Sequence, residues 1–224
     1  PPRSTPLYSS AASDVYKRQV MAAAIAFVQD DLKKVLAYST MSQLAYIFTG
    51  LGAALWLANT PGMEKYAIVA FGAALFHLFN HAMAKGMLFM ASGSVIHEMH
   101  HAHHDLHHHD DHDDHGDDHH DDHHDDHFDA QSMENMGGLA SKMPITATAM
   151  LVGSASIMGL PLIGGFWSKE GIIANTWRVA LDDPRFFLPA ACVLLGAAMT
   201  GFYMSRMWFK TIAGNPKTEV AAKV

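Results

Sequence analysis

The 224-residue sequence contains a single cysteine, Cys192, so no disulfide can form within the chain. This cysteine lies in an apolar stretch, residues 190–198, and we interpret it as a packing residue. The sequence also shows no ligand set for a flavin, a quinone or an iron–sulfur cluster. We therefore expect this chain to bind no redox cofactor of its own.

Positive charge is missing from residues 97–129, which hold 13 of the 22 acidic residues and no Lys or Arg. The net charge of −7 therefore comes from this segment, because the rest of the chain has only 9 acidic residues against 15 Lys and Arg. Fifteen of the 17 histidines lie between His97 and His127. Since this composition cannot bury a core, we predict a disordered His/Asp loop over residues 99–135. It can bind Zn²⁺ or Ni²⁺ loosely and can buffer protons, but nothing fixes a ligand number, and we interpret it as a spacer.

The N-terminal residues 1–19 have no apolar period and resemble neither a signal peptide nor a transit peptide. The chain does not begin with Met, and apolar sequence starts abruptly at Val20. We interpret residues 1–19 as a non-native tail and the whole chain as a fragment. Residues 213–224 are interpreted as a truncated tail.

Hydropathy predicts an all-α fold, a polytopic bundle of membrane-spanning helices. Residues 20–98 are predicted to contain a partial helix and two spans, and residues 136–212 two more spans. The first of the latter two contains Gly159, Pro161, Gly164 and Gly165, which predict a broken helix. The predicted segments are 20–29, 35–58, 66–96, 144–177 and 186–212.

The distribution of Lys and Arg predicts the orientation in the membrane, because cytoplasmic loops carry an excess of both. Six of these residues fall on the side of the His/Asp loop and three on the other. We therefore predict that the His/Asp loop is cytoplasmic. The first group is Lys33, Lys34, Lys142, Lys210, Lys217 and Lys223, and the second is Lys65, Arg178 and Arg185.

Three titratable residues interrupt the apolar run 66–96 at helical spacing. His77, His81 and Lys85 are four residues apart, so they share one face of a helix. A lysine at the centre of a bilayer costs about 2.5–3.5 kcal/mol on insertion scales, which favours a functional role in proton handling. The alternative for the histidines is that they form hydrogen bonds with a neighbouring helix. A metal pair is disfavoured, because Lys85 would repel a cation.

A second candidate site follows the predicted helix break, where Lys169 and Glu170 are adjacent. Broken spans expose backbone groups where protein or water can satisfy them, and such places often hold ion sites. We expect Lys169 to lie on a hydrated path. The alternative is that both residues mark a helix end at the membrane surface.

Several runs of residues resemble the subunit L family of proton-pumping NADH:quinone oxidoreductase, respiratory complex I, and together they cover nearly all of residues 20–212. The wider family includes the multisubunit Na⁺/H⁺ antiporter subunits, but the run at 91–97 favours the subunit L branch. The runs are DLKKVLAYSTMSQL at 31–44, HLFNHA at 77–82, LFMASGSVIH at 88–97, MGGL at 136–139, MPIT at 143–146 and GFWSKE at 165–170.

The resemblance implies an architecture and a set of site residues. It implies the second of two inverted five-helix repeats, with a broken last-but-one helix. It also implies that Lys85 is the central proton-relay lysine, that His77 and His81 bridge the path beside it, and that Lys169 lies on the exit side. The family usually has Ser-Lys-Asp-Glu where this chain has Ser-Lys-Glu-Gly, so Glu170 is assigned to the relay only by its position.

The resemblance further implies a proton-translocating subunit whose redox chemistry takes place elsewhere. NADH, FMN, iron–sulfur clusters and quinone would belong to partner subunits, and the partners of this chain would be other membrane-arm subunits and the lipid bilayer, with no nucleic acid. The expected location is a prokaryotic cell membrane. One alternative is a Na⁺/H⁺ antiporter subunit, and a less favoured one is a divalent-metal transporter, which would need paired His or Asp ligands within its spans.

Overall fold

In the computed structural model, which describes residues 6–108 and 128–224, the regular structure is helical, with one isolated antiparallel bridge between Asp31 and Ser132. A single 3-10 turn, Pro184–Phe186, precedes the last long helix. The helices are α1 Pro6–Val28, α2 Leu32–Ala58, α3 Glu64–His108, α4 Pro144–Met158, α5 Gly164–Asp182, α6 Phe187–Thr211 and α7 Glu219–Lys223.

Three segments of the described chain are long and apolar enough to cross a membrane: Leu32–Ala58, Glu64–Leu106 and Pro184–Thr211. They correspond to three of the four predicted full spans. The fourth is the pair α4 and α5, separated by residues 159–163, as the glycines and proline there predicted. The all-α bundle with a broken helix is therefore confirmed.

Helix α1 begins earlier than the sequence predicted, at Pro6 instead of residue 20. No Gly or Pro occurs between residues 7 and 28, so nothing in this stretch terminates a helix. Gln19 is fully buried against α6, and its Nε2 donates to the carbonyl of Cys192 at 3.4 Å. That residues 1–19 are non-native stays a prediction.

Helix α3 corrects the predicted start of the His/Asp loop at residue 99, because the helix continues to His108. Its 45 residues extend about 67 Å at 1.5 Å per residue, roughly twice the ~30 Å hydrocarbon core, so it projects from the membrane. Met99, Ala102 and Leu106 are at helical spacing and pack against buried apolar residues in the core of the bundle. This apolar stripe holds the histidine-rich turns in a helix. The remainder of the predicted loop lies partly outside the described residues, in 109–127.

The helix break between α4 and α5 contains residues with positive φ angles and a close backbone contact. Gly159 ends α4 in the left-handed conformation, with φ of 80°, and its N–H bonds to the carbonyls of Ala155 and Ser156. Leu162 also has a positive φ of 76°. At Gly165 in the first turn of α5, a Cβ atom would lie 1.8 Å from the carbonyl oxygen of Ser156. The two half-helices therefore meet backbone to backbone, which only glycine permits.

An ion network joins the elements at the end of the bundle where α2 begins. The Oδ1 atom of Asp30 lies 2.5 Å from Arg206 and 2.7 Å from Lys210, both on α6. Lys210 also reaches Glu134 at 3.5 Å, and Arg206 donates to the carbonyl of Gln29 at 2.6 Å. This end carries the lysines assigned to one side by the sequence, and whether it faces the cytoplasm stays a prediction.

We expect Asp30→Asn to destabilise the protein by about 0.5–1 kcal/mol at neutral pH, a modest amount because Asp30 is 41% exposed. The hydrogen bond from Lys210 is the largest cause that holds the pKa of Asp30 below its usual range. The stabilisation is therefore present above the unfolded pKa of about 4 and is lost as the pH falls through the lower folded value. Thermal unfolding in detergent at pH about 7 and about 3 measures this.

The control for this prediction is Asp182→Asn, an exposed carboxylate at the opposite end of the bundle. Its unfolding temperature should match that of the unsubstituted protein at both pH values. If the Asp30 variant were as stable as the control at neutral pH, the network would contribute nothing.

Candidate functional site

The last turn of α4 leaves carbonyl groups without helical partners, and polar side chains donate hydrogen bonds to backbone carbonyls on both sides of the break. The Nζ of Lys169 donates to the carbonyl of Ile157, in the last turn of α4, at 2.7 Å. Asn80 on α3 donates through its Nδ2 to the carbonyl of Gly164 at 3.0 Å. An unsatisfied carbonyl in a membrane costs several kcal/mol, so these side chains stabilise the break. Lys169 is only 4% exposed, which places it in the protein interior and not at a helix end on the surface.

Lys85 lies on the same buried face of α3 as the two histidines. Its side chain is 5% exposed, and its Nζ donates to the carbonyl of Leu36 on α2 at 2.8 Å. That carbonyl also accepts from the hydroxyl of Thr40 at 3.0 Å. A carbonyl can accept from an ammonium and from a neutral amine, so the partner of Lys85 remains available in both protonation states.

His77 bonds through both ring nitrogens, and it links three helices. Its Nδ1 lies 2.9 Å from the Oγ of Ser168 on α5, and its Nε2 lies 3.1 Å from the Oε1 of Gln43 on α2. Ser168 is fully buried and immediately precedes Lys169. His77 is therefore connected to the break by a hydrogen bond.

His81 lies between Lys85 and His77 on α3, with its ring centroid 6.4 Å from that of His77. It is 6% exposed, and its Nε2 is one of three buried side-chain atoms among the described residues that lack a hydrogen-bond partner. This nitrogen borders a gap too narrow for a water-sized sphere, which also reaches the break at Ser156 and Gly165. A buried nitrogen without a hydrogen-bond partner destabilises the fold. Its presence is consistent with a group that binds a proton transiently.

The structure thus brings together four of the five predicted site residues, Lys85, His81, His77 and Lys169, in one buried row. Glu170 is not in this row, because its side chain is exposed on another face of α5. Adjacent residues on a helix point about 100° apart, so the burial of Lys169 does not require Glu170 to be buried. Its predicted part in the relay has no contact with the row to support it.

The buried row contains two amines and no carboxylate. Among the described residues, the buried side chains include no Asp and no Glu. Two ammonium groups without a counter-ion would each cost several kcal/mol in such surroundings. The row therefore favours fewer protons than it has basic groups, which is the condition for a proton to move among them.

Sequence reasoning missed the residues that hold the row, although a signal was present. Gln43 on α2 and Thr200 on α6 are polar residues within predicted apolar spans, and both are buried. The Nε2 of Gln43 donates to Thr200 at 3.0 Å. Within residues 6–108 and 128–224, no group of three or more His, Cys, Asp or Glu lies close enough to hold a metal ion.

In membrane proteins, a broken span and buried ionisable side chains commonly mark ion pathways. The sequence profile of the family described as NADH:quinone oxidoreductase/Mrp antiporter, TM, matches residues 18–194. The chain belongs to this family. It is an integral membrane protein, as its three candidate spans indicate.

Individual relatives agree with this assignment. The chain is 39% identical to NAD(P)H-quinone oxidoreductase subunit 5, chloroplastic, of Anthoceros angustus over 195 residues, which are 87% of this chain and 21% of the relative. It is 36% identical over 200 residues to the protein of the same name from Nephroselmis olivacea, covering 89% of this chain and 24% of the relative. The chain thus spans about a fifth to a quarter of the length of these curated relatives.

A solved structure shows the same fold. The chain superposes on a chain of the Mrp complex from Dietzia sp. DQ12-45-1b with a TM-score of 0.63, at 19% sequence identity, covering 92% of this chain and 30% of that one. At this identity the likeness concerns the fold alone.

Proposed function

We propose that this chain forms the proton-relay part of a membrane subunit of a complex I-like NADH:quinone oxidoreductase, of the subunit L class. The observation that carries the proposal is the buried row Lys85, His81, His77 and Lys169, which contains basic groups and no carboxylate. The family supports it, since the matched relatives are named as subunits of a quinone oxidoreductase. The same observations support its classification as part of a proton-translocating oxidoreductase.

In the proposed relay a proton enters at Lys85 and leaves at Lys169. Each amine donates to a backbone carbonyl, of Leu36 or of Ile157, and this bond holds it in place whether charged or neutral. His81 and His77 lie between the amines and carry the proton across. Movement against the membrane potential costs about 2.3 kcal/mol per 100 mV, and a charge rearrangement in neighbouring subunits of that size would supply it.

The proposal requires partners that are not part of this chain. NADH, FMN, the iron–sulfur clusters and quinone would be bound by partner subunits, because this chain has one cysteine and no evident cofactor ligands. Glu170 is exposed within a membrane-spanning half-helix, where a bare carboxylate is costly, so we expect a neighbouring membrane-arm subunit or repeat to cover it. The proposed location is a prokaryotic cell membrane.

Replacing Lys85 by alanine tests the relay. We expect proton pumping to fall to a small fraction of the normal value while the complex still assembles, because Ala cannot carry a proton. The measurement is NADH-driven acidification of inverted membrane vesicles, expressed per electron transferred. Lys33→Ala, an exposed lysine on α2, is the control and should pump normally. Normal pumping in the Lys85 variant would refute the relay.

A Na⁺/H⁺ antiporter subunit is the second candidate, and the fold shared with the Mrp complex favours it. The two candidates differ in what drives proton movement, which is electron transfer in the oxidoreductase and a Na⁺ gradient in the antiporter. In the same vesicles, an imposed Na⁺ gradient without NADH should leave the internal pH unchanged if the chain belongs to an oxidoreductase. Acidification or alkalisation driven by Na⁺ alone would instead support the antiporter.

A further inference from the structure

A chain of hydrogen bonds leads from His77 away from the relay, across α2 and into α6. It runs from the Nε2 of His77 to Gln43 and on to Thr200, whose hydroxyl contacts the carbonyl of Gly196 at 2.6 Å. These side chains are all buried, with at most 2% exposed. The proposed relay does not use this branch, so its role needs a separate explanation.

The direction of each hydrogen bond in this branch is fixed from the α6 end. A threonine hydroxyl has one proton, and the short contact of Thr200 with the carbonyl of Gly196 uses it, since a carbonyl can only accept. The Oγ1 of Thr200 is therefore restricted to accepting. Tyr203 also directs its hydroxyl towards Oγ1 at 3.4 Å and towards Ser39 at 3.0 Å, and neither contact requires a proton from Thr200.

This restriction passes through Gln43 to His77. Because Thr200 accepts, Gln43 must present its NH₂ group to Thr200 and its carbonyl Oε1 to His77. Oε1 carries no hydrogen, so the Nε2 of His77, 3.1 Å away, must carry one. A neutral imidazole has a single N–H, and its lone pair then lies on Nδ1, facing Ser168 at 2.9 Å.

We propose that Gln43 and Thr200 are positioning residues that lock neutral His77 in the Nε2–H tautomer, so that its basic nitrogen faces the helix break and not α6. This inference rests on the proposed relay function. It assigns a direction to His77: the ring takes up and releases protons at Nδ1 only. The branch into α6 is then closed to protons, because an amide carbonyl that accepts a hydrogen bond does not pass a proton on.

Fixing the tautomer of His77 also gives the Ser168 hydroxyl two alternative hydrogen-bond acceptors. With neutral His77, the Ser168 hydroxyl donates to Nδ1. When a proton binds Nδ1, the ring instead donates through Nδ1–H to the Oγ of Ser168, and the hydroxyl hydrogen turns to the carbonyl of Gly165, 3.1 Å away. On proton uptake an N–H bond of the relay neighbour that donates the proton breaks as the Nδ1–H bond forms, and on release the Nδ1–H bond breaks as an N–H bond forms on the neighbour that accepts it. Ser168, adjacent to Lys169, thus changes its bonding with the protonation state of His77.

The tautomer of His77 is measurable by solid-state NMR on the assembled complex, with ¹⁵N-labelled histidine and subtraction of the spectrum of a His77→Gln variant. We expect protonated Nε2 and unprotonated Nδ1 for neutral His77. In Thr200→Val, Gln43 loses its acceptor and its amide can turn to present NH₂ to His77, so the neutral ring should change to the Nδ1–H tautomer. Pumping per electron should fall in the Thr200→Val variant. The conservative Thr200→Ser variant keeps a hydroxyl and should retain both the Nε2–H tautomer and normal pumping.

Each result decides the matter separately from the relay itself. An Nδ1–H tautomer in the unsubstituted protein would overturn the lock, and this measurement needs no variant of Thr200 to fold. Normal pumping and an unchanged tautomer in Thr200→Val would overturn it as well. The relay fails by a different result, normal pumping in the Lys85→Ala variant, which leaves the tautomer measurement unaffected.

Discussion

Replacing Gly165 by alanine is expected to prevent the subunit from folding, so that neither the protein nor its pumping activity is recovered in membranes. The added Cβ would lie 1.8 Å from the carbonyl oxygen of Ser156 and 2.8 Å from its carbon. Both are backbone atoms at the end of α4, which cannot move aside as a side chain can. The cost should exceed the roughly 1–3 kcal/mol typical of overpacking.

The loss would extend beyond packing, because the break supplies the acceptors of the site. Separating the half-helices would displace the carbonyl of Ile157, on α4, from the Nζ of Lys169, on α5. The measurement is the amount of subunit in purified membranes, by immunoblot, together with NADH-driven acidification. Recovery of the Gly165→Ala protein at the normal level would show that α4 and α5 do not meet as described.

Gly93→Ala is the matched control for this prediction. Gly93 lies inside α3, and a Cβ there meets nothing within 4 Å. Alanine is favoured over glycine in a helix by about 0.5–1 kcal/mol, so this variant should be at least as stable as the unsubstituted protein. The same substitution therefore has opposite expected effects at the two positions, and the difference depends only on what surrounds each glycine.

The sequence predicted the features that depend on local chemistry. Gly159 and Pro161 lie two residues apart in an apolar run, and this combination disfavours a continuous helix, so the break between α4 and α5 could be predicted without tertiary information. Spacing placed His77, His81 and Lys85 on one helical face, and that face is buried. A charged residue in an apolar membrane span is usually buried in the protein interior, away from lipid.

The sequence could not predict which groups meet across helices. Gln43 and Thr200 are 157 positions apart, and each looks like an isolated polar residue in its own span. Glu170 was assigned to the relay only by its position next to Lys169, and because its side chain is exposed, its role there stays a prediction. The histidine-rich end of α3 was predicted as a loop from its composition, whereas the stripe through Met99 and Leu106 packs on the core and keeps it helical.

Substitution of Lys169 is expected to abolish proton pumping, and two replacements separate the roles of charge and of proton exchange. Lys169→Met removes both, and it also leaves the carbonyl of Ile157 without its donor, at a cost of about 1–3 kcal/mol. Lys169→Arg keeps a donor and a positive charge, but a guanidinium does not release its proton in a protein. If Lys169 transfers protons, both variants should fail to pump, although Arg preserves the charge.

The measurement is again acidification of inverted vesicles per electron transferred, with assembly confirmed by immunoblot. Lys65→Arg and Lys65→Met are the matched controls, because Lys65 is an exposed lysine at the N-terminal end of α3. Both variants should pump normally. Pumping retained in Lys169→Arg but lost in Lys169→Met would contradict the relay, since it would mean that Lys169 acts as a fixed charge. A fixed charge at the break could hold α4 and α5 together, but no proton could leave the row through it, and the exit would have to lie elsewhere.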